Sequence, residues 1–180
     1  MSEITVEATG LKVESVAYRS PAWRAGVLPG DEVVRVEGFP VLDVVDFRFR
    51  GSEPSFRMTV VRGGEEVDLV VERGENEEVG ITFVFPLGDG IHRCHNKCSF
   101  CFIHQMPKGM RRSLYVMDDD FRLSFLHGNY VTLTNLSREE YERIKEQKLS
   151  PLYVSVHSTD PELRGFLLGR GEPEPIWEKL

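Results

Sequence analysis

The sequence predicts two domains, a small, mostly-β domain followed by the start of an α/β domain with parallel strands. Residues 1–74 contain short runs of alternating apolar and polar residues, separated by glycine- and proline-rich turns, as in a half-buried sheet. From residue 81 onward, strand-like and helix-like segments alternate, an order that favours parallel pairing. The polar, glycine-bounded residues 75–80 between these regions are predicted to be a linker.

The composition is that of an ordinary globular protein, with 41% hydrophobic and 28% charged residues among 180. No apolar run approaches the roughly 18 residues that span a bilayer, and an acid stands early in the chain, so we expect a cytoplasmic protein without membrane contact. The net charge of -7 argues against bulk nucleic-acid binding. Residues 93–112 nevertheless hold five basic residues and no acid, which suggests a docking face for an acidic partner.

The first domain begins with an alternating strand over residues 11–17. Residues 20–26 predict a short helical turn that ends at a glycine, and a Pro-Gly turn leads into a second strand over 32–38. Asp43 is predicted to cap a short helix with one apolar face. Two further alternating runs flank Gly63-Gly64, which is a hairpin signal.

Three motifs in this region, Ser20-Pro-Ala-x-x-Ala-Gly26, Pro29-Gly-Asp31 and Val36-x-Gly38, resemble those of a bacterial PDZ domain over residues 1–74. The resemblance implies a peptide that adds as a strand beside the first matching strand, its terminal carboxylate bound by backbone N–H groups. The matching positions are Thr9, Gly10 and Leu11, with the Asp43 helix as the other groove wall. The alternative is that this domain docks the rest of its own chain.

Three cysteines, Cys94, Cys98 and Cys101, lie within eight residues and are the only cysteines of the chain. Their odd number within one loop favours a shared metal or cluster over a disulfide. With His104 they could form a zinc set, but structural zinc sites usually draw two ligand pairs from separate turns. A catalytic thiol would leave two cysteines unexplained, and free thiols are a further alternative. A cubane held by three soft thiolates, with one iron open, fits the spacing better.

The C-x3-C-x2-C spacing, with Phe100 before the last cysteine and strand 81–85 before the loop, resembles the cluster loop of radical S-adenosylmethionine (radical SAM) enzymes. The resemblance implies that the three cysteines hold a [4Fe-4S] cluster whose open iron binds S-adenosylmethionine. Phe100 would then pack near the adenine. Reductive cleavage of the cofactor would give a 5′-deoxyadenosyl radical that takes hydrogen from a substrate, and the full-length protein would be an oxidoreductase-like enzyme.

The segments 101–107, 114–126 and 130–135, together with the PDZ-like front, resemble a subgroup of radical SAM proteins that carry a further C-terminal domain of unknown function. The implied fold of residues 81–180 is the start of a TIM-like βα barrel. Only about three βα units fit into this length, so we expect an N-terminal fragment, inactive alone. The basic run 93–112 suggests an acidic reduced flavodoxin or ferredoxin as electron donor.

In the predicted strands 130–135 and 152–157, one face is apolar and the other polar, which suggests a cavity on the polar side. The Gly-Gly-Glu motif typical of the family is missing after the first of these strands, and Thr134 and Asn135 are the positional candidates for cofactor binding. His157, at the end of the second, is another candidate. No catalytic residue is predicted.

The remaining patterns in the second domain predict helices. Ser137 and Glu140 form a capping-box pattern, and Asp160-Pro161 is predicted to start a helix that ends at Gly169. The acids of 118–120 are predicted to cap a helix and to pair with Arg111 or Arg112, because three adjacent carboxylates do not face one cation. The alternative function is a non-catalytic PDZ interaction or redox-sensing protein with a cluster or zinc in the cysteine loop.

Overall fold

A six-stranded antiparallel sheet forms the core of the first of two compact units, Met1–Gly90 and Ile91–Leu180. The computed structural model describes residues 10–180. The strands are β1 (Leu11–Val16), β2 (Glu32–Val36), β3 (Phe39–Pro40), β4 (Ser55–Arg62), β5 (Glu65–Glu72) and β6 (Ile81–Phe83). Their order is β5-β4-β2-β1-β6, with β3 paired to β2.

The hairpin of β4 and β5 confirms the turn signal at Gly63 and Gly64, both of which have positive φ. Valines and aromatic residues on the inner faces of the strands build the core of this unit. Helix α1 (Pro21–Ala25) ends at Gly26, as predicted, and the Ser20 side chain caps its other end. Helix α2 (Val44–Arg50) is capped by the Asp43 carboxylate, which also confirms the prediction.

Strand β6 belongs to the sheet of the first unit. We predicted residues 81–85 as the first strand of a barrel, but Phe83 pairs with Val13 and Ile81 with Val16, both antiparallel. The carbonyls of Val79 and Gly80, within the predicted linker, accept hydrogen bonds from α1 and the residue that follows β1. The β-branched and aromatic residues of β6 predict a strand. They do not predict which strand β6 pairs with, because the tertiary fold decides this.

The second unit contains a 3-10 turn (Arg112–Tyr115), α3 (Phe121–His127), β7 (Tyr130–Val131), α4 (Arg138–Glu146), β8 (Tyr153–Val154) and α5 (Pro161–Leu168). Strands β7 and β8 pair in parallel, as the alternating order predicted. Within the described residues they form a two-stranded sheet, and no barrel is present. The expected barrel is therefore not observed.

Both predicted strands of this unit are shorter than expected. β7 ends before Leu133 and β8 before His157, and each of these residues has a left-handed φ, 58° and 62°, which interrupts an extended strand. Val131 and Leu133 pack with Ile176 in a small core. Tyr130, on the polar face of the first predicted strand, is 69% exposed and lines no enclosed cavity.

The predicted helix caps of this unit are confirmed. Ser137 and Glu140 form the capping box of α4, and Asp160 caps α5, which ends at Gly169. Asp120 caps α3, but its ion-pair partner is Arg122, at 2.7 Å, and not Arg111 or Arg112. The reason is geometric, because the Arg122 side chain folds back onto the cap of its own helix.

Among the helices of residues 10–180, none combines the length and the apolar character that crossing a membrane requires.

The fully buried pair of Asp120 and Arg122 gives a stability prediction. Burial opposes the charged carboxylate, but the hydrogen bonds from Arg122 and the His92 N–H outweigh it and hold the Asp120 pKa below its ordinary value. Asp120→Asn should lower the free energy of unfolding of this unit by about 3 kcal/mol, because it removes the buried negative charge that binds the Arg122 guanidinium. Hydrogen exchange of residues 117–131 in increasing urea measures this loss.

Asp118→Asn is the matched control, since Asp118 is half-buried and accepts a hydrogen bond from the Asn129 amide. We expect a change of less than about 1 kcal/mol for this variant. Equal effects of the two variants would contradict the role given to the buried ion pair.

Candidate functional site

The first half of the cysteine loop, residues 94–97, is held by backbone hydrogen bonds to three other segments. The Cys94 N–H donates to the Met117 carbonyl at 3.0 Å, and the Lys97 N–H donates to the Leu168 carbonyl at 2.9 Å. Between them, the His95 N–H donates to Oδ1 of Asn135 at 3.2 Å. This half of the loop therefore has a defined position on the second unit.

Asn96, between the first two cysteines, is buried to 5% exposure, and its amide is fully hydrogen-bonded. Its Nδ2 donates to the hydroxyls of Thr134 at 2.9 Å and Thr132 at 3.1 Å. Its Oδ1 accepts from the Thr134 hydroxyl at 3.0 Å and from Arg170 Nη1 at 3.2 Å. The loop is thus attached to the end of β7 and to the residue that follows Gly169.

Asp119 supports the same region from the opposite side and is 4% exposed. Its carboxylate accepts from the N–H and the hydroxyl of Thr132, both at 2.6 Å, and from Nδ2 of Asn135. The same Nδ2 lies 3.9 Å from Sγ of Cys94. Asp119 therefore orients an amide that contacts both the backbone and the thiol of the loop.

A close backbone approach completes the support of the loop. A Cβ on Gly169 would lie 2.3 Å from the Lys97 carbonyl oxygen, and Gly169 has a φ of 66°. Only glycine combines this φ with this contact at low cost. Gly169, which was predicted to end α5, therefore also allows the backbone of the loop to pack closely against the end of this helix.

The second half of the loop, residues 98–101, forms hydrogen bonds within its own turns. The Cys101 N–H donates to the Cys98 carbonyl at 3.2 Å, and the Gln105 N–H donates to the Cys101 carbonyl at 3.2 Å. The Phe100 ring lies against the His157 ring, with centroids 4.8 Å apart. Two residues predicted separately for cofactor binding are therefore neighbours.

The three cysteines are free and partly buried. Burial raises the pKa of the Cys94 thiol, and the negative charge of Asp119 adds to this effect. Burial also raises the pKa of Cys98, with further contributions from the other two cysteines. Both of these thiols are therefore harder to ionise than an ordinary cysteine.

Across residues 10–180, no three His, Cys, Asp or Glu side chains converge as a metal-binding group. The cysteines therefore do not stand in a ligating arrangement, although they share one loop. His104, the fourth member of the zinc alternative, is exposed. The donor set itself consists of soft thiol ligands, which suit an iron–sulfur cluster.

A buried cation lies behind the ends of β7 and β8. Arg164 is fully buried and donates to the carbonyls of Thr132 at 2.6 Å and Val156 at 3.0 Å. Glu174 provides its countercharge at 3.5 Å. Partial burial and then the charge of Arg164 lower the pKa of His157, which keeps that imidazole neutral at pH 7.

Sequence reasoning placed Thr134 and Asn135 near the cofactor, and the structure shows both bonded to the cysteine loop. The sequence did not lead us to Asn96, Asp119 or Arg170 as residues of this site. Asn96 stands between two predicted ligands, and its position in the motif was the available signal. Asp119 was interpreted only as part of an acidic helix cap, because its partners are distant in the sequence.

The predicted peptide-binding positions are not at an open edge. Leu11 is 1% exposed and lies in β1, which is paired with β2 on one side and β6 on the other. Gly10 packs against β2, and Thr9 lies outside the described residues. The outer position belongs to β6, which faces α2 through the contact of Phe83 with Phe47, with ring centroids 5.2 Å apart. A cavity of about 440 Å³ lies between these two elements.

Comparison with known proteins agrees with the two regions predicted from the sequence. Residues 73–180 match the family model of the radical SAM-like domain, and residues 12–62 match that of the PDZ domain. "Putative protease Do-like 14" of Arabidopsis thaliana is 36% identical over 75 residues, which are 42% of this chain and 14% of that protein. The chain thus spans a small part of this relative.

The solved structures similar to this chain include PDZ domains. That of HtrA3 bound to a phage-derived ligand (FGRWV) is 29% identical, with a TM-score of 0.34, over 36% of this chain and 62% of that one. That of the SdrC-like protein from Listeria monocytogenes is 18% identical, with a TM-score of 0.37, over 45% of this chain and 94% of that one.

The family match to residues 73–180 covers more than half of the chain and includes the cysteine loop with all its supporting residues. The PDZ match covers most of β1 and the whole of α1, β2, β3, α2 and β4. The chain therefore belongs to the radical SAM-like domain family and carries a PDZ domain in front of that domain.

Proposed function

We propose that Cys94, Cys98 and Cys101 hold a [4Fe-4S] cluster that binds S-adenosylmethionine, in a protein that acts as a radical SAM enzyme at full length. The observation that carries this proposal is the anchoring of the loop. Every residue from Cys94 to Lys97 is hydrogen-bonded to one of three other segments of the second unit. Such attachment is what a cluster loop needs to present its ligands reproducibly.

The chain's own residues have separate roles in this proposal. The three thiols would be the protein ligands and would release their protons on metal binding, and burial makes this ionisation harder for Cys94 and Cys98 in the metal-free chain. Phe100 and His157 offer adjoining rings for the adenine of the cofactor. Thr134 and Asn135 support the loop from the end of β7. A reduced cluster bound there would supply the electron for the reductive cleavage of S-adenosylmethionine.

The basic residues around the loop support a reduced flavodoxin or ferredoxin as the electron donor. Arg93, Lys97, Lys108, Arg111 and Arg112 are all exposed. An acidic donor would be steered toward this surface by its charge. We further propose that the protein acts in the cytoplasm, where reduced thiols persist.

A second candidate function is peptide docking by the PDZ domain, without catalysis. The favouring observation is the position of β6 at the end of the sheet, where among the described strands it pairs with β1 alone. A peptide would add to β6 and lie against α2. Arg48 and Arg73 line the cavity beside it, and their charge suits a terminal carboxylate.

Anaerobic reconstitution with ferrous iron and sulfide tests the cluster. The 180-residue chain should bind about four irons and turn brown, and each Cys→Ser variant should lose most of this iron, because a cubane needs all three protein ligands. Iron analysis and visible absorption measure the result. A colourless protein that retains one zinc would contradict the proposal, and 5′-deoxyadenosine formation by the full-length protein separates the enzyme from the redox-sensing alternative.

The raised thiol pKa values predict the pH dependence of alkylation. In the iron-free chain, iodoacetamide should modify Cys94 and Cys98 with a midpoint above pH 9.0, the ordinary value, because only the thiolate reacts. Peptide mass spectrometry after timed quenching measures each site. The urea-unfolded chain is the control and should show the ordinary midpoint. A folded midpoint at or below the unfolded one would exclude burial as the controlling effect.

The peptide edge can be located by NMR titration with FGRWV as a probe. Amide shifts should change in β6 and α2 and not in the interior strand β1, because β1 has both edges paired. Arg48→Glu should weaken binding by about tenfold through repulsion of the carboxylate. The exposed Arg57→Glu on β4 is the matched control. Shift changes centred on residues 10–13 would instead support the edge predicted from the sequence.

A further inference from the structure

We propose that Asn96 is the positioning residue of the cysteine loop, and that its contacts with Thr132, Thr134 and Arg170 set where the flanking cysteines stand. The part of this inference that concerns a cluster rests on the proposed function. The part that concerns the loop itself depends only on the contacts of Asn96.

The location of Asn96 gives it control over two of the three cysteines. It is the middle residue between Cys94 and Cys98, so each of their Cα atoms lies within about 7 Å of its own. It is buried, whereas its neighbours His95 and Lys97 are exposed. A single inward-pointing amide therefore fixes the centre of the C-x3-C segment.

The contacts of the Asn96 amide specify one orientation. Both donor hydrogens and the acceptor oxygen have partners, so rotation of the amide by half a turn would place donors against Arg170. The partners are themselves restrained, Thr132 by the Asp119 carboxylate and Arg170 by Glu174 at 3.2 Å. The amide thus joins two chain segments that are already held in place.

Asn96 also differs from a residue that only fills the core. Its contacts are all polar, and they lie on one side of the loop, toward the end of β7 and the end of α5. Loss of these contacts should free the loop while leaving the small apolar core of Val131, Leu133 and Ile176 in place. Hydrogen exchange of the loop, compared with the stability of the whole chain, therefore distinguishes a residue that positions the loop from one that only fills the core.

The test compares Asn96→Ala with Thr134→Val, Thr134→Ser and His95→Ala in the 180-residue chain. Two readouts are needed besides the melting temperature. The first is backbone hydrogen exchange of residues 94–98 in the iron-free chain. The second is the rate at which an iron chelator removes iron after reconstitution with ferrous iron and sulfide, together with the EPR spectrum of the reduced protein.

We expect Asn96→Ala and Thr134→Val to accelerate loop exchange and iron loss by roughly tenfold or more, as for other residues that orient metal ligands, and to broaden the EPR spectrum. Thr134→Ser restores the hydroxyl and should behave as the wild type. His95→Ala removes an exposed side chain from the same loop and should also leave both rates unchanged.

Two results would overturn the inference. One is a hydrogen-exchange rate of residues 94–98 in Asn96→Ala that equals the rate in His95→Ala. The other is unfolding of the whole unit by Asn96→Ala combined with no local effect of Thr134→Val, which would make Asn96 a purely structural residue. A wild-type chain that takes up no iron would refute the proposed function, and the exchange measurements would still decide the role of Asn96.

Discussion

The buried amide of Asn96 is the constraint on which the position of the cysteine loop depends. A buried polar group must find partners within the protein, and an amide has donors and an acceptor to satisfy at once. Here the partners are hydroxyls at the end of β7 and the guanidinium of Arg170. The loop, the end of β7 and Arg170 must therefore keep fixed positions relative to one another, because otherwise several polar groups lose their hydrogen bonds together.

Buried charges extend this constraint to the ends of both parallel strands. Asp119 binds Thr132 and the Asn135 amide, and Arg164 binds the carbonyls that follow β7 and β8. Such groups are costly to bury unless each is paired, and here the countercharge of Arg164 is Glu174. The carboxyl ends of the strands thus carry fixed polar and charged groups, which is a suitable environment for a charged cofactor.

In the first unit, the strand at the edge of the sheet beside β1 is β6. β6 follows the other five strands in the chain and pairs with β1, the first of them. The strand predicted from the sequence to accept a peptide is therefore an interior strand, and the outer position belongs to β6. Helix α2 stays opposite this new edge through the contact of Phe47 with Phe83.

The sequence by itself determined the features that arise from neighbouring residues. Helix caps at Asp43, Ser137 and Asp160, the Gly-Gly hairpin and the cysteine spacing all depend on groups a few residues apart. Only the tertiary structure decided the partner of β6, the early end of β7 and the role of Asn96. The hydrogen bond from Asn96 to Thr134 spans 38 residues, and local propensity carries no information about a contact at that separation. Parallel pairing of β7 and β8 was predictable from element order, whereas the buried polar contacts around the loop required the folded arrangement of distant segments.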